Sequence, residues 1–253
     1  MELFGVVKSG SLDMLMEMIE AKADINARDH NGNTALMMAV SKGETVCTQL
    51  LLDAKADIEA RDNNNNTPLM FASALGHTAC VQLLLDANAY MEAEDQGGNT
   101  ALILASLMNR AACAQVLVDA KADMEAKNHS DRTALMSSSI QGHSACVQLL
   151  VDAKADVEAR DNNGGTALMF ASALGHTACA QLLVDANADV ESRASASATA
   201  LMLASDQGHT ACVQLLVDAK ADVEARDNNN STALVGASAG GHAACVQVLV
   251  DAK

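Results

Sequence analysis

The chain repeats itself every 33 residues, and that period constrains its fold more than any property of its composition. A threonine marks the register at Thr34, Thr67, Thr100, Thr133, Thr166, Thr199 and Thr232, with no insertion between them. A cysteine follows each by 13 residues, at Cys47, Cys80, Cys113, Cys146, Cys179, Cys212 and Cys245, so all seven cysteines belong to the repeat. A strict period of this length is the mark of a solenoid, in which each unit buries its apolar face against its neighbours.

Within one unit, the run Asp161-Asn162-Asn163-Gly164-Gly165 reads as a turn. The hydroxyl of Thr166 can then accept from a free backbone N–H at a helix start. Leu168, Met169 and Ala171 give that helix one buried stripe, Gly175 suits a positive φ in a tight turn, and a second helix carries Cys179, Leu182, Leu183 and Val184. Helices of about two to three turns do not persist alone in water, so stacking of repeats is required. The expected fold is an all-α repeat solenoid.

The residues Thr67-Pro68-Leu69-Met70-Phe71-Ala72, then Gly76-His77, and the loop Ala155-Asp156-Val157-Glu158-Ala159 resemble the ankyrin repeat and its phrase T-P-L-H-x-A. The resemblance covers the whole chain. It implies helix-turn-helix pairs joined by β-hairpin-like loops, and a non-enzymatic module that binds a partner protein. In such arrays the loop tips and the exposed positions of the first helix line one concave face. At about 10 Å per repeat, the groove is expected to be roughly 60–70 Å long.

The expected organisation is a single domain over 1–253, with a capping helix pair at 1–22 and seven repeats ending at 55, 88, 121, 154, 187, 220 and 253. Leu3, Val6 and Val7, then Gly10, then Met14, Met18 and Ile19 fall where later repeats place their apolar residues. Glu2, Lys8 and Gly10 argue against a signal peptide. The longest apolar run, near Ala101 to Met108, is far short of the roughly 18 residues needed to cross a bilayer. No polar closing repeat precedes Lys253, which predicts either further repeats in a parent protein or a covered end face. Monomer is the expected state, with end-to-end contact through the last repeat as the alternative.

A net charge of −16 follows from the repeat, since Asp152, Asp156, Glu158 and Asp161 recur against Lys154 and Arg160. No basic stripe with interleaved aromatics is present, which argues against nucleic acid as a partner. The one cationic row, Arg28, Arg61, Lys127, Arg160, Arg193 and Arg226, is broken by Glu94. It reads as a loop edge of salt bridges, with an anion-binding strip as the alternative.

His-x-x-Cys recurs at His77/Cys80, His143/Cys146, His176/Cys179, His209/Cys212 and His242/Cys245, a spacing that resembles metal ligation. Helices packed about 8–10 Å apart would keep cysteines of successive repeats beyond disulfide or shared-zinc distance, so these read as core thiols. No metal or cofactor is expected. Reduced, buried thiols fit a cytoplasmic or nuclear compartment. The carboxylates, serines and glycines all follow the repeat and form no catalytic arrangement, so no enzyme activity is expected.

The binding residues are sought at the exposed end of the first helix. There the repeats carry Ser41-Lys42, Ala74-Leu75, Leu107-Met108, Ile140-Gln141, Ala173-Leu174, Asp206-Gln207 and Ala239-Gly240. Leu75, Leu107, Met108, Ile140 and Leu174 predict a central apolar band with polar ends, unless these side chains fold back against the loops. Repeats three and four also depart most from the common phrase. Tyr90 replaces the loop aspartate, Asn109-Arg110 replaces Gly-His, and Asn128-His129-Ser130-Asp131-Arg132 replaces the asparagine-glycine tip. Drift is the simpler reading of these departures, but their coincidence with the band selects Leu75, Tyr90, Leu107, Met108, Arg110, His129, Arg132, Ile140, Gln141 and Leu174 as candidate partner-binding residues.

Several local departures carry expectations of their own. Lys22, Lys55, Lys121, Lys154 and Lys220, with Asn88 and Asn187, stand where the family uses glycine after the second helix, so a left-handed backbone would be costly there. Met37, Met70, Met136, Met169 and Met202 replace the phrase's histidine and are expected to lose its hydrogen bond. Repeat four, with Ser137 and Ser138, and repeat seven, with Gly236, are expected to open first. The tip Arg193-Ala194-Ser195-Ala196-Ser197-Ala198 of repeat six lacks the turn aspartate and is expected to be mobile or remodelled. A structural spacer or a consensus-like engineered scaffold with no ligand of its own remains the alternative function.

Overall fold

The computed structural model describes residues 5–7 and 11–252. They form two compact bodies, Met1–His129 and Ser130–Lys253. In the first body residues 5–7 are helical and the helix Leu12–Glu20 follows, then the helix pairs Ala35–Lys42 and Thr45–Asp53, Pro68–Leu75 and Thr78–Asp86, and Ala101–Leu107 and Ala111–Asp119. In the second the pairs are Ala134–Gln141 and Ser144–Asp152, Ala167–Ala173 and Thr177–Asp185, Ala200–Asp206 and Thr210–Asp218, and Ala233–Ala239 and Ala243–Asp251. Within each body first helices pack on first helices and second on second, with each pair closed on itself. This is the repeat solenoid the period demands. No strand forms among the described residues.

Every first helix starts as the sequence requires. The hydroxyls of Thr34, Thr67, Thr100, Thr133, Thr166, Thr199 and Thr232 each accept from the backbone N–H three residues on. The methionines keep more than volume, contrary to expectation, in repeats one and two. The N–H of Thr34 points at Met37 Sδ and that of Thr67 at Met70 Sδ, both at 3.4 Å, closing the cap from the other side. Thioether sulfur is a weak acceptor, but a buried N–H is costly to leave unpaired.

Second helices end with the backbone expected to be expensive. Lys154 has φ 70°, Ala155 N–H returns to Leu150 O at 3.0 Å, and Lys22, Lys55, Lys121, Lys220, Asn88 and Asn187 are likewise left-handed. Gly175, at φ 74°, makes the turn between helices in repeat five. Asn109 takes that conformation in repeat three at φ 55°.

The hairpin-like loops are laced by backbone bonds within and between repeats. Asp62 N–H reaches Asn66 O, and Asn63 N–H reaches Asn31 O of the preceding tip. The repeat-six tip is not remodelled. Ala194 N–H still donates to Ala198 O, Ser195 N–H to Asn163 O, and Asn228 N–H to Ala196 O. Its neighbours on both sides dictate its shape even without the aspartate.

The core is a ladder of Leu, Ala, Val and Met, with the seven cysteines buried and none in a disulfide. Of the residues in the capping reading, Val6 and Val7 are buried and Met14, Met18 and Ile19 half-buried, while the buried Leu15 was not among them and Leu3, Gly10 and Lys253 lie outside the described residues. In repeat four the hydroxyl of Ser138 finds the carbonyl of Leu135 at 3.0 Å. One serine column is less well served: Ser73, Ser106, Ser139, Ser172 and Ser205 bury hydroxyls that have no hydrogen-bond partner.

Candidate functional site

The side chains that look most reactive in sequence are used by the scaffold. The Nε2 atoms of His77, His176, His209 and His242 lie 3.0–3.1 Å from the carbonyls of Ser41, Ile140, Ala173 and Asp206, each on the first helix of the preceding repeat. The imidazole is thus a stitch between repeats, aimed away from the cysteine. Threonine hydroxyls meet the thiols, as in Thr78 with Cys113, Thr177 with Cys212 and Thr210 with Cys245, at 3.3–3.4 Å. Burial pushes the thiols of Cys47, Cys80, Cys113, Cys179 and Cys212 up, and that of Cys146 up to about 11. Thiols held that high have little thiolate at neutral pH and are poor nucleophiles. Among the described residues, no group of three or more His, Cys, Asp or Glu could hold a metal ion.

Four members of the cationic row hold backbone carbonyls. Arg160 Nη1 donates to Gly164 O and to Arg193 O, and Arg193 Nη1 does the same to Ser197 O and Arg226 O. Arg61 reaches Glu94 O, and Arg226 reaches Asn230 O. These guanidinium groups therefore hold loop carbonyls of their own and the following repeat, where salt bridges were expected. The recurrent glutamates do the complementary job: Glu59 accepts from Tyr90 N–H, Glu158 from Asp189 N–H and Glu191 from Asp222 N–H, each at 2.7 Å. Glu92 accepts from Asp123 N–H, but burial raises its carboxyl and leaves Oε2 without a hydrogen bond.

The ten candidate binding residues divide by what the fold already asks of them. In the first body, Leu75 and Met108 are exposed at the first-helix end, 44% and 52%, whereas Leu107 is half-buried. In the second body Leu174 is 47% exposed and Gln141 is exposed, whereas Ile140 is half-buried. The apolar band is therefore free at its outer position and tucked in at the residue before it. At the inner position the next repeat also grips the backbone carbonyl, in Ala74, Ile140 and Ala173.

Arg110, a candidate binding residue, is such a grip. It stands in the histidine position and its Nε donates to Ala74 O at 3.1 Å. Arg132 is likewise engaged, with Nε 3.8 Å from Asp161 Oδ2 and the guanidinium 5.2 Å from the Phe170 ring centroid. His129 is exposed, but its N–H donates to Gly97 O and its ring covers Gly98, where an added Cβ would meet Cδ2 at 2.6 Å. Tyr90 is 60% exposed in the loop after a second helix, apart from the first-helix face.

One feature was not found from sequence. Beside Gly236, taken there only as a weak spot, lies a hollow of about 360 Å³ lined by Met202, Leu203, Val235 and Ala239 among others. The signal lay in comparing this repeat with the one 66 residues earlier, where Phe170 stands.

No helix among the described residues is long and apolar enough to cross a membrane. No curated protein matches the chain by sequence. The family model described as ankyrin repeats (3 copies) matches residues 3–95, 62–128, 120–194 and 191–253. Among solved structures, the chain is similar to the ankyrin repeat domain of Bcl-3, described as a unique member of the IkappaB protein family. That match has a TM-score of 0.77 at 29% identity and covers 87% of this chain and 100% of that one. The human ASB11 ankyrin repeat domain superposes with a TM-score of 0.78 at 22% identity, over 87% of this chain and 98% of that one, and speaks to the fold alone. Matched along nearly its whole length, the chain belongs to the ankyrin repeat family, whose domains are generally protein–protein interaction modules and typically non-enzymatic.

Proposed function

We propose that the chain is a non-enzymatic binding module whose working surface is the exposed end of its first helices. The observation that carries this reading is the exposure of Leu75, Met108 and Leu174. Large apolar side chains at positions where the fold tolerates Lys42 or Gln207 contribute little to stability and favour a partner that covers them. Tyr90 and Gln141 are accessible as outlying contacts, while Arg110 and Arg132 serve the scaffold. The buried thiols support a reducing, cytoplasmic or nuclear setting, and the absence of a basic stripe in the sequence supports protein over nucleic acid as partner.

The test is capture of partners from a cell extract by the intact chain, by Leu75→Asp/Met108→Asp and by Leu174→Asp, with circular dichroism to confirm folding. Leu107 and Ile140 are left unaltered because both are half-buried and a carboxylate there would disturb packing. A partner held by the intact chain and lost by either variant upholds the reading. Partners kept equally by all three place binding elsewhere, and capture by none favours the spacer.

A further inference from the structure

A structural motif between repeats four and five has a counterpart exactly two repeats later in the same body. Arg132, Asp161 and Phe170 correspond to Ala198, Asp227 and Gly236. In the first copy the Arg132 guanidinium lies over the Phe170 ring and beside the Asp161 carboxylate. In the second copy the chain supplies neither cation nor ring, and the hollow of about 360 Å³ opens among Ala198, Asp227 and Gly236.

What remains there is the complement of the missing pair. Asp227 Oδ1 takes the N–H groups of Asn229 and Ser231, just as Asp161 Oδ1 takes those of Asn163 and Gly165. Its other oxygen corresponds to the one that Arg132 approaches in Asp161, but Ala198 stands in the arginine's place. Met202, Leu203 and Val235 supply apolar walls, and the exposed Asp206 adds a second carboxylate. Backbone geometry does not require Gly236, because an added Cβ would meet its nearest neighbours at an ordinary 3.6 Å and φ is not left-handed.

We propose that this hollow receives an aromatic side chain and an adjacent arginine from a partner polypeptide, rebuilding in trans what Arg132 and Phe170 form within the chain. The ring fills the volume above Gly236, and the guanidinium lies over it against Asp227. The net charge of −16 favours the same basic partner. The inference rests on the first-helix face as the binding surface and adds the chemistry that one part of it selects.

The experiment is a titration of the intact chain with acetyl-Phe-Arg-amide and acetyl-Phe-Glu-amide, followed by the backbone NMR signals of Asp227, Ser231, Val235 and Gly236. Saturable shifts are expected with the arginine peptide, at an affinity about tenfold above the glutamate peptide, and a similar loss in Asp227→Asn, which keeps Oδ1 for the loop. Ala198→Arg/Gly236→Phe should close the hollow, abolish the shifts and raise the melting temperature, so lost binding cannot be mistaken for unfolding. Leu174→Asp should bind the arginine peptide normally, which separates failure of the hollow from failure of the apolar band. No shift, equal shifts with both peptides, or shifts that persist in the filled variant would overturn the proposal. So would self-association, measured by sedimentation, that only the filled variant abolishes, since that would assign the hollow to a second copy.

Discussion

The tip loops of repeats five and six have the same backbone course but are held differently. In repeat five, Asp161 is buried and its carboxylate takes two loop N–H groups while Arg132 approaches from the preceding repeat. In repeat six, Ala194 stands in its place, and the loop closes without a carboxylate, through backbone bonds such as Ala194 N–H to Ala198 O at 3.1 Å and the Arg193 guanidinium on Ser197 O. The left-handed residue at the tip is Gly164 in one and Ser197, at φ 59°, in the other. Shape in this loop is imposed by its neighbours; side chains decide how firmly it is held.

The sharpest way to break the comparison is to make the firm loop like the loose one. Asp161→Ala removes two charge-assisted hydrogen bonds and leaves Arg132 without its carboxylate, so it should lower unfolding free energy by about 2–3 kcal/mol. Urea denaturation of the variant checks this. A loss below about 0.5 kcal/mol would show that the backbone lacing suffices in repeat five as well.

The converse change has a smaller expected effect. Ala194→Asp offers a carboxylate to the N–H groups of Ala196 and Ala198, the positions that correspond to Asn163 and Gly165, and should stabilise by about 1 kcal/mol. Hydrogen exchange gives a local readout: amides of Ala196 and Ala198 should exchange faster than those of Asn163 and Gly165, and the substitution should narrow the gap. Equal rates in the unaltered chain would contradict the looser loop.

These loops also show which features could be read from sequence and which could not. The caps at each threonine, the turn at Gly175 and the left-handed lysines were legible because each depends on residues within a few positions of itself. The lattice of Arg160 and Arg193 was misread because acids adjacent in sequence drew attention, while the true partners are carbonyls up to one repeat away. The contacts of Arg110 and Arg132 were not legible for the same reason: Ala74 and Phe170 are their neighbours only once repeats stack. In the candidate site, periodicity located the helix end but could not separate exposed Met108 from half-buried Leu107, since one residue of helical phase decides it.

Relief of backbone strain comes next in size. Ser197→Gly puts glycine where repeat five has Gly164, and should stabilise by up to about 1 kcal/mol, less the entropy glycine adds to the unfolded chain. Lys154→Gly tests the same term at the end of a second helix, where φ is 70°. Thermal melts of both variants should move upward together. A rise at Lys154 alone would mean that the repeat-six tip relaxes its strain by moving.

The smallest effect concerns the same loop position in repeat one. Burial acts to raise the Asp29 carboxyl, but the side-chain and backbone N–H groups of Asn33, the N–H of Asn31 and the nearby His30 outweigh it, and the net shift is downward. A carboxyl lowered in the folded state contributes stability above its unfolded pKa and loses that contribution as pH falls through the folded one. Stability should therefore decline between about pH 5 and pH 2, with Asp29 contributing a share of the slope. Asp29→Asn keeps an oxygen for the N–H groups of Asn31 and Asn33 but replaces the second acceptor, which now takes the Asn33 side-chain amide at 3.1 Å, with a donor. The variant should lose slightly at neutral pH and show a flatter acid limb in urea titrations. An unchanged limb would mean that the loop's carboxylate titrates alike folded and unfolded.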